Sequence, residues 1–152
     1  MMKWALLAAP GIDAAELTYS QKIVALTILG ESRGEGKRGM YDTAALIKQR
    51  MLNRKLSCTG VCLESAIVRR KKIHQFSCWN NRTVKQNSVW LKSTSAPYAI
   101  FLAKHLCNGG DLNRSAIAYA DHYCTLNSYP SWIKGKTPVY KHGNHKYFRL
   151  KK

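Results

Sequence analysis

The stretch Ile23–Glu35, reading IVALTILGESRGE, limits what this chain can become more than any other. From Ile23 to Leu29 every residue except Thr27 is apolar, which gives two helical turns without a polar face. A helix that is apolar all round belongs inside a fold. The run then meets Gly30 and delivers two carboxylates, Glu31 and Glu35, with Arg33 between them. Gly30 and Gly34 are expected to loosen the backbone there, so that Glu31 projects into a cleft. The helix dipole disfavours negative charge at this end. Burial there raises a carboxyl pKa toward neutrality, which is what a general acid requires. Glu31 is therefore the first candidate catalytic residue.

Carboxylates are scarce elsewhere. The 152 residues hold 8 Asp+Glu against 25 Lys+Arg, a formal net charge of +17. Such a charge speaks of partners rather than of fold, and the partner class is an anionic polymer or surface. Nucleic acid, a phosphate-rich cell envelope and lipopolysaccharide all qualify. Basic residues are spread along the chain, with short runs at Arg69-Arg70-Lys71-Lys72 and Arg149-Leu150-Lys151-Lys152. Dispersion favours a generally cationic surface over a dedicated nucleic-acid arm. The same field lowers carboxylate pKa values, so a protonated Glu31 needs strong local burial.

The length suits one domain with its own core. Residues 1–15 hold one lysine and a short apolar run, a weak leader signal, and residues 16–152 are expected to form the single domain. Export by that signal, export by a helper protein and cytoplasmic residence all fit. No stretch approaches the roughly 20 apolar residues of a membrane span. The five cysteines, Cys58, Cys62, Cys78, Cys107 and Cys124, are an odd set. The C-x3-C pair Cys58/Cys62 lacks a second pair, which argues against a structural zinc site. Buried free thiols are the default reading, with Cys58–Cys62 or a longer-range disulfide open to an oxidising compartment.

Along the chain, Thr18 and Gln21 have capping-box spacing ahead of a helix over 20–29. A second helix is expected over 37–55, with Met40, Ala44, Ile47 and Met51 inward and Arg38, Lys48, Arg50 and Arg54 on other faces. A loop over 57–62 and a short helix over 63–70 follow, the latter with Glu64 in its first turn. A helix over 96–107 stops at Asn108-Gly109-Gly110. Residues 118–123 alternate and are aromatic, which favours a strand. Residues 139–148 read as a hairpin around Gly143-Asn144. Helices first and a small antiparallel sheet formed largely by the C-terminal third indicate an α+β fold.

The order GESRGEG, FSCWN, a late His-Tyr segment, PSW and GNHKYFR resembles the SleB-type cell-wall hydrolase family, which includes spore-cortex-lytic enzymes and phage lysins. The resemblance covers roughly residues 23–149. It implies a lysozyme-like α+β fold acting on peptidoglycan glycan strands, with a lytic-transglycosylase mechanism in the best-known members. It matches Glu31 to the family's catalytic acid and leaves Glu35 a supporting candidate. It implies a substrate cleft lined by Phe76, Ser77, Trp79, Asn80, Tyr123, Ser131, Trp132, Asn144, His145 and Tyr147. A chain so read takes no metal and no cofactor and is a monomer at the cell wall or periplasm, exported or released during lysis, and its +17 charge would hold it near anionic envelope polymers. Departures are Ser32 where alanine is common, the basic run Arg69–Lys72 before FSCW, and Cys124 where a histidine is usual.

Three other readings compete. A hydrolytic muramidase would use Glu31 with Glu35. A zinc amidase or peptidase would draw on His122, His142, His145 and Cys124, although no H-E-x-x-H pair occurs. A cationic nucleic-acid-binding protein is suggested by charge alone.

Overall fold

In the computed structural model, which describes residues 17–151, a buried helix takes the centre. The expected leader lies outside the described residues. Helix α1 (Tyr19–Ser32) opens with a capping box: Thr18 accepts from the Gln21 amide, and the Gln21 side chain accepts from the Thr18 amide. Ile23 through Leu29 have no exposed surface. Helices α2 (Gly36–Arg54), α3 (Cys58–Cys62) and α5 (Ala96–Cys107) pack around them. Even Thr27 is served inside this core, since the Trp79 indole donates to its hydroxyl at 2.9 Å.

Gly30 does not break the helix. A Cβ there would lie 2.6 Å from Cys78 Cβ and 2.8 Å from the Trp90 ring, so the missing side chain is what lets that wall close on α1. The backbone turns later, in the 3-10 segment Arg33–Glu35 and at Gly36, whose φ is +72°. Glu31 thus leaves from the last regular turn of a helix. Ser32, the departure from alanine, is buried, donates to the Ile28 carbonyl, and has the Thr43 hydroxyl 3.0 Å away.

Two small antiparallel sheets complete an α+β fold. The first overturns the helix expected over 63–70: β1 (Ser65–Val68) pairs with β2 (Lys71–His74) across the two-residue turn Arg69–Arg70. Both turn residues are left-handed, with φ of 52° and 66°, the geometry that matches the strand twist. The β-branched Ile67, Val68 and Ile73 favour the extended form, and Glu64 serves as an ion-pair partner of Arg54 rather than a helix opener. The segment expected as a loop over 57–62 instead contains α3, capped by Ser57, whose hydroxyl accepts from the Gly60 amide at 3.0 Å. Short helix α4 (Val84–Asn87) follows the first sheet.

The second sheet has the order β3-β5-β4, from β3 (His122–Thr125), β4 (Tyr140–His142) and β5 (His145–Phe148). Its β4–β5 hairpin turns at Gly143–Asn144, as the sequence indicates, with Gly143 at φ +57°. Strand β3 starts later than expected, because Ala118 and Tyr119 are left-handed after a 3-10 turn at Arg114–Ile117. No helix among the described residues is long and apolar enough to cross a membrane.

Candidate active site

A cleft of about 390 Å³ opens where the end of α1 faces the free edge of β3. Gly30 and Glu31 contribute from α1, Arg50 from α2, and Gln75 and Ser77 from the segment after β2. The opposite wall is His122, Tyr123, Cys124 and Thr125 of β3, with Ser128 and Trp132 from the following loop and His145 from β5. Because β3 is an edge strand, side chains from both of its faces reach this opening.

Glu31 sits at the centre. Its Oε1 accepts a hydrogen bond from the Tyr123 hydroxyl, and its Oε2 accepts a long one, 3.4 Å, from the Cys78 amide. Burial raises its pKa above the ordinary carboxyl value, outweighing the hydrogen bonds from Cys78 and the charges of His145 and Arg50. The local burial demanded by the +17 charge is therefore present.

Tyr123 is placed by a stack of rings. It lies opposite Tyr147 in the β3–β5 register, with ring centroids 5.6 Å apart, and meets the His145 ring edge-on at 4.9 Å. Tyr147 is fully buried behind it and supports the wall rather than lining it. His145 is held from the other side by Glu35, whose carboxylate is 2.8 Å from Nδ1 and also accepts from the Asn144 amide at 3.4 Å. A Cβ on Gly143 would lie 3.2 Å from the Glu35 carboxyl carbon, so the turn closes tightly on that group. Glu35 is a clamp on the hairpin and does not line the cleft with Glu31.

The remaining expected cleft residues divide by position. Ser77 and Trp132 line the cleft. Trp132 packs against His122 and Phe148, each with centroids 5.3 Å away. Phe76 is fully buried beneath the floor, against Tyr123 and under the Arg50 guanidinium. Trp79 is committed to Thr27 in the core, and Asn80 accepts from the His74 amide at 2.8 Å, bracing the first hairpin. Ser131 and Asn144 are exposed at turns outside the cleft lining. The FSCWN stretch therefore sends Phe76 and Trp79 inward and leaves Ser77 at the surface of the cleft.

Sequence reasoning missed five contributors. Arg50, expected on a solvent-facing side of α2, is buried, with Nε donating to the Asp121 carbonyl at 2.7 Å. Burial lowers its pKa to about 10. Asp121 accepts from the amides of Leu150 and Lys151 and from His122 Nδ1, and so anchors the end of the chain and orients a cleft histidine. Gln75, Thr125 and Ser128 add polar groups with no motif to mark them. Nothing in the spacing of Arg50 distinguishes it from the other basic residues of α2, of which Lys48, also expected on another face, is buried as well.

The other described carboxylates are engaged away from the cleft: Asp42 with Tyr140 and Arg38, Glu64 with Arg54, and Asp111 with Arg114. Among the described residues no three of His, Cys, Asp and Glu come together in a way that could hold a metal ion. What the cleft offers is one protonatable carboxyl with a phenol, two imidazoles, a buried guanidinium and an exposed-edge tryptophan around it. No family model, curated protein or solved structure matches this chain.

Proposed function

We propose that this chain cleaves the β-1,4 bond between N-acetylmuramic acid and N-acetylglucosamine in peptidoglycan, as a lytic transglycosylase with Glu31 as acid and then base. The observation that carries this reading is that Glu31 is the one carboxyl among the described residues lining the cleft, with its pKa raised by burial. The ordered resemblance of the GESRGEG, FSCWN and GNHKYFR segments to cell-wall hydrolases supplies the substrate class.

The chemistry needs only that one acid. Protonated Glu31 gives its proton to the glycosidic oxygen as the C1–O bond breaks and charge develops on an oxocarbenium-like centre. The muramic 6-hydroxyl then attacks C1, and the Glu31 carboxylate takes the hydroxyl proton, which regenerates the acid. The Tyr123 hydroxyl stabilises the ionised form between the two steps. Trp132 at the cleft edge provides a face for sugar stacking. The +17 surface holds the protein near anionic envelope polymers, an attachment that salt weakens.

Hydrolysis by a pair of carboxylates is less well supported, since Glu35 is occupied by His145 and the Asn144 amide. Digestion of purified sacculi with the wild-type chain and Glu31→Gln, followed by mass spectrometry, tests the reading. Disaccharide-peptides one water lighter than hydrolysis products, absent with the variant, are expected. Ordinary reducing muramic ends would replace transglycosylation by hydrolysis. Released stem peptides with intact glycan, or no cleavage at all, would remove the glycosidase reading.

A further inference from the structure

Outside the cleft, the sulfurs of Cys58 and Cys107 lie 3.0 Å apart, on segments separated by 49 residues. Cys58 is the first residue of α3, and Cys107 is the last of α5. Two helix ends from distant parts of the chain bring two thiols together at a distance shorter than a normal sulfur–sulfur contact. Neither thiol has a role in the cleft. We propose that Cys58 and Cys107 form a redox-active pair that closes to a disulfide by exchange with a disulfide oxidant, locking one wall of the cleft to the helical core.

The pair differs from the other three cysteines in ways that favour its reaction. At Cys62, Cys78 and Cys124 burial opposes ionisation without a sulfur partner to offset it, and Cys78 also faces the Glu31 carboxylate. The two sulfurs share a hydrogen bond in which either can donate, which favours a single thiolate within the pair, with further help from Thr59 beside Cys58. A thiolate is the attacking species in exchange. Cys58 is itself buried and Cys107 is partly exposed at the end of its helix, so an oxidant meets the pair from the Cys107 side.

The step balances without any other reactant. The thiolate of the pair attacks one sulfur of the oxidant disulfide, forming a mixed disulfide and releasing a thiolate. The second sulfur of the pair, having lost its proton, attacks the first and expels the second thiolate. Two protein thiols are oxidised, one disulfide is reduced, and two protons leave with the two thiol products.

The consequence follows from what the cross-link would enclose. Residues 58–107 include the β1–β2 hairpin and the Gln75–Asn80 wall, while α5 packs directly on α1, which carries Glu31. A bond between the ends of this segment restricts its unfolded states and ties the wall to the helix bearing the acid. The chain would thus be looser where thiols are kept reduced and tighter where they are oxidised.

The test is to equilibrate the full reduced chain with oxidised glutathione, quench in acid, denature, alkylate and weigh it, beside Cys58→Ser and Cys107→Ser. A monomer two hydrogen atoms lighter before alkylation, taking three alkyl groups and yielding a linked Cys58–Cys107 peptide, is expected. Its melting temperature should stand on the order of 10 °C above that of the reduced chain. Both serine variants should fold, and neither should show that oxidative rise. Five alkyl groups after oxidation, a linked peptide joining other cysteines, or closure without a rise in melting temperature would each overturn the proposal.

Discussion

The Tyr123 hydroxyl donates to Oε1 of Glu31, joining the edge strand of the C-terminal sheet to the last turn of the central helix. It is one of several bonds between the helices and that sheet, beside Glu35 with His145 and Tyr140 with Asp42, and it lies inside the cleft. A hydroxyl donated to a carboxylate favours the ionised form, so it opposes the burial that raises the Glu31 pKa. Tyr123→Phe keeps the ring, its stack on Tyr147 and the edge contact with His145. The expected result is turnover lowered roughly tenfold to a hundredfold, the scale of one hydrogen bond to a charged group. The alkaline limb of the pH–rate profile should move upward, because the Glu31 pKa rises further. An unchanged limb would mean that this bond does not tune the acid.

Glu31 also has a predictable effect on stability. Its folded pKa is raised above 4.5, so between that value and the raised one the folded state holds more protons than the unfolded state. Stability contributed by this group is complete below the unfolded pKa and is lost as pH rises through the folded one. Glu31→Gln removes that loss. The variant should therefore melt a few degrees above wild type near about pH 7, with the difference shrinking toward about pH 4. Calorimetry of both proteins across this range checks the sign. A variant less stable at every pH would show that the carboxylate is not held under tension.

How much of this was legible depended on whether the signal was local. The capping box at Thr18, the apolar run of α1, the stop after α5 and the Gly143–Asn144 turn each rest on a few adjacent residues, and each stands where the sequence puts it. The β1–β2 hairpin was hidden because Arg69–Arg70 carries no glycine or asparagine to announce left-handed backbone. The cleft was less legible than the fold. Glu35 meets His145, 110 residues away, and Arg50 meets Asp121, 71 residues away, partnerships that only the tertiary fold creates. Within FSCWN the motif names residues together, while the backbone sends Phe76 and Trp79 into the core and Ser77 to the cleft.

Glu35 offers a direct contrast with Glu31. It holds the hairpin turn and the His145 ring, so its removal should disturb a cleft wall without removing the acid. Glu35→Gln is expected to lower kcat/KM by no more than about tenfold, whereas Glu31→Gln should cost the roughly 10²–10⁴-fold typical of a lost general acid. Products from sacculi should be unchanged in kind. If Glu35→Gln were as inactive as Glu31→Gln while still folded, Glu35 would belong in the chemistry and the two-carboxylate mechanism would return.

Asp121 governs acid stability. Burial alone would raise its pKa, but hydrogen bonds from His122 and from the amides of Leu150 and Lys151 outweigh it and hold the group at about 2. A depressed folded pKa contributes stability that is present above the unfolded value near 3.8 and is lost as pH falls toward the folded one. Asp121→Asn places an amide where two backbone donors and a histidine converge, and the carboxylate's charge-assisted bonds disappear. A cost of about 2–3 kcal/mol near neutral pH is expected. Urea titrations from about pH 7 down to about pH 2 should show wild type losing that advantage between about pH 4 and 2, with the variant's curve flatter there. Parallel curves for the two proteins would mean that the C-terminal segment is held by something other than this carboxylate. In that case the orientation of His122 in the cleft would not depend on its ionisation either.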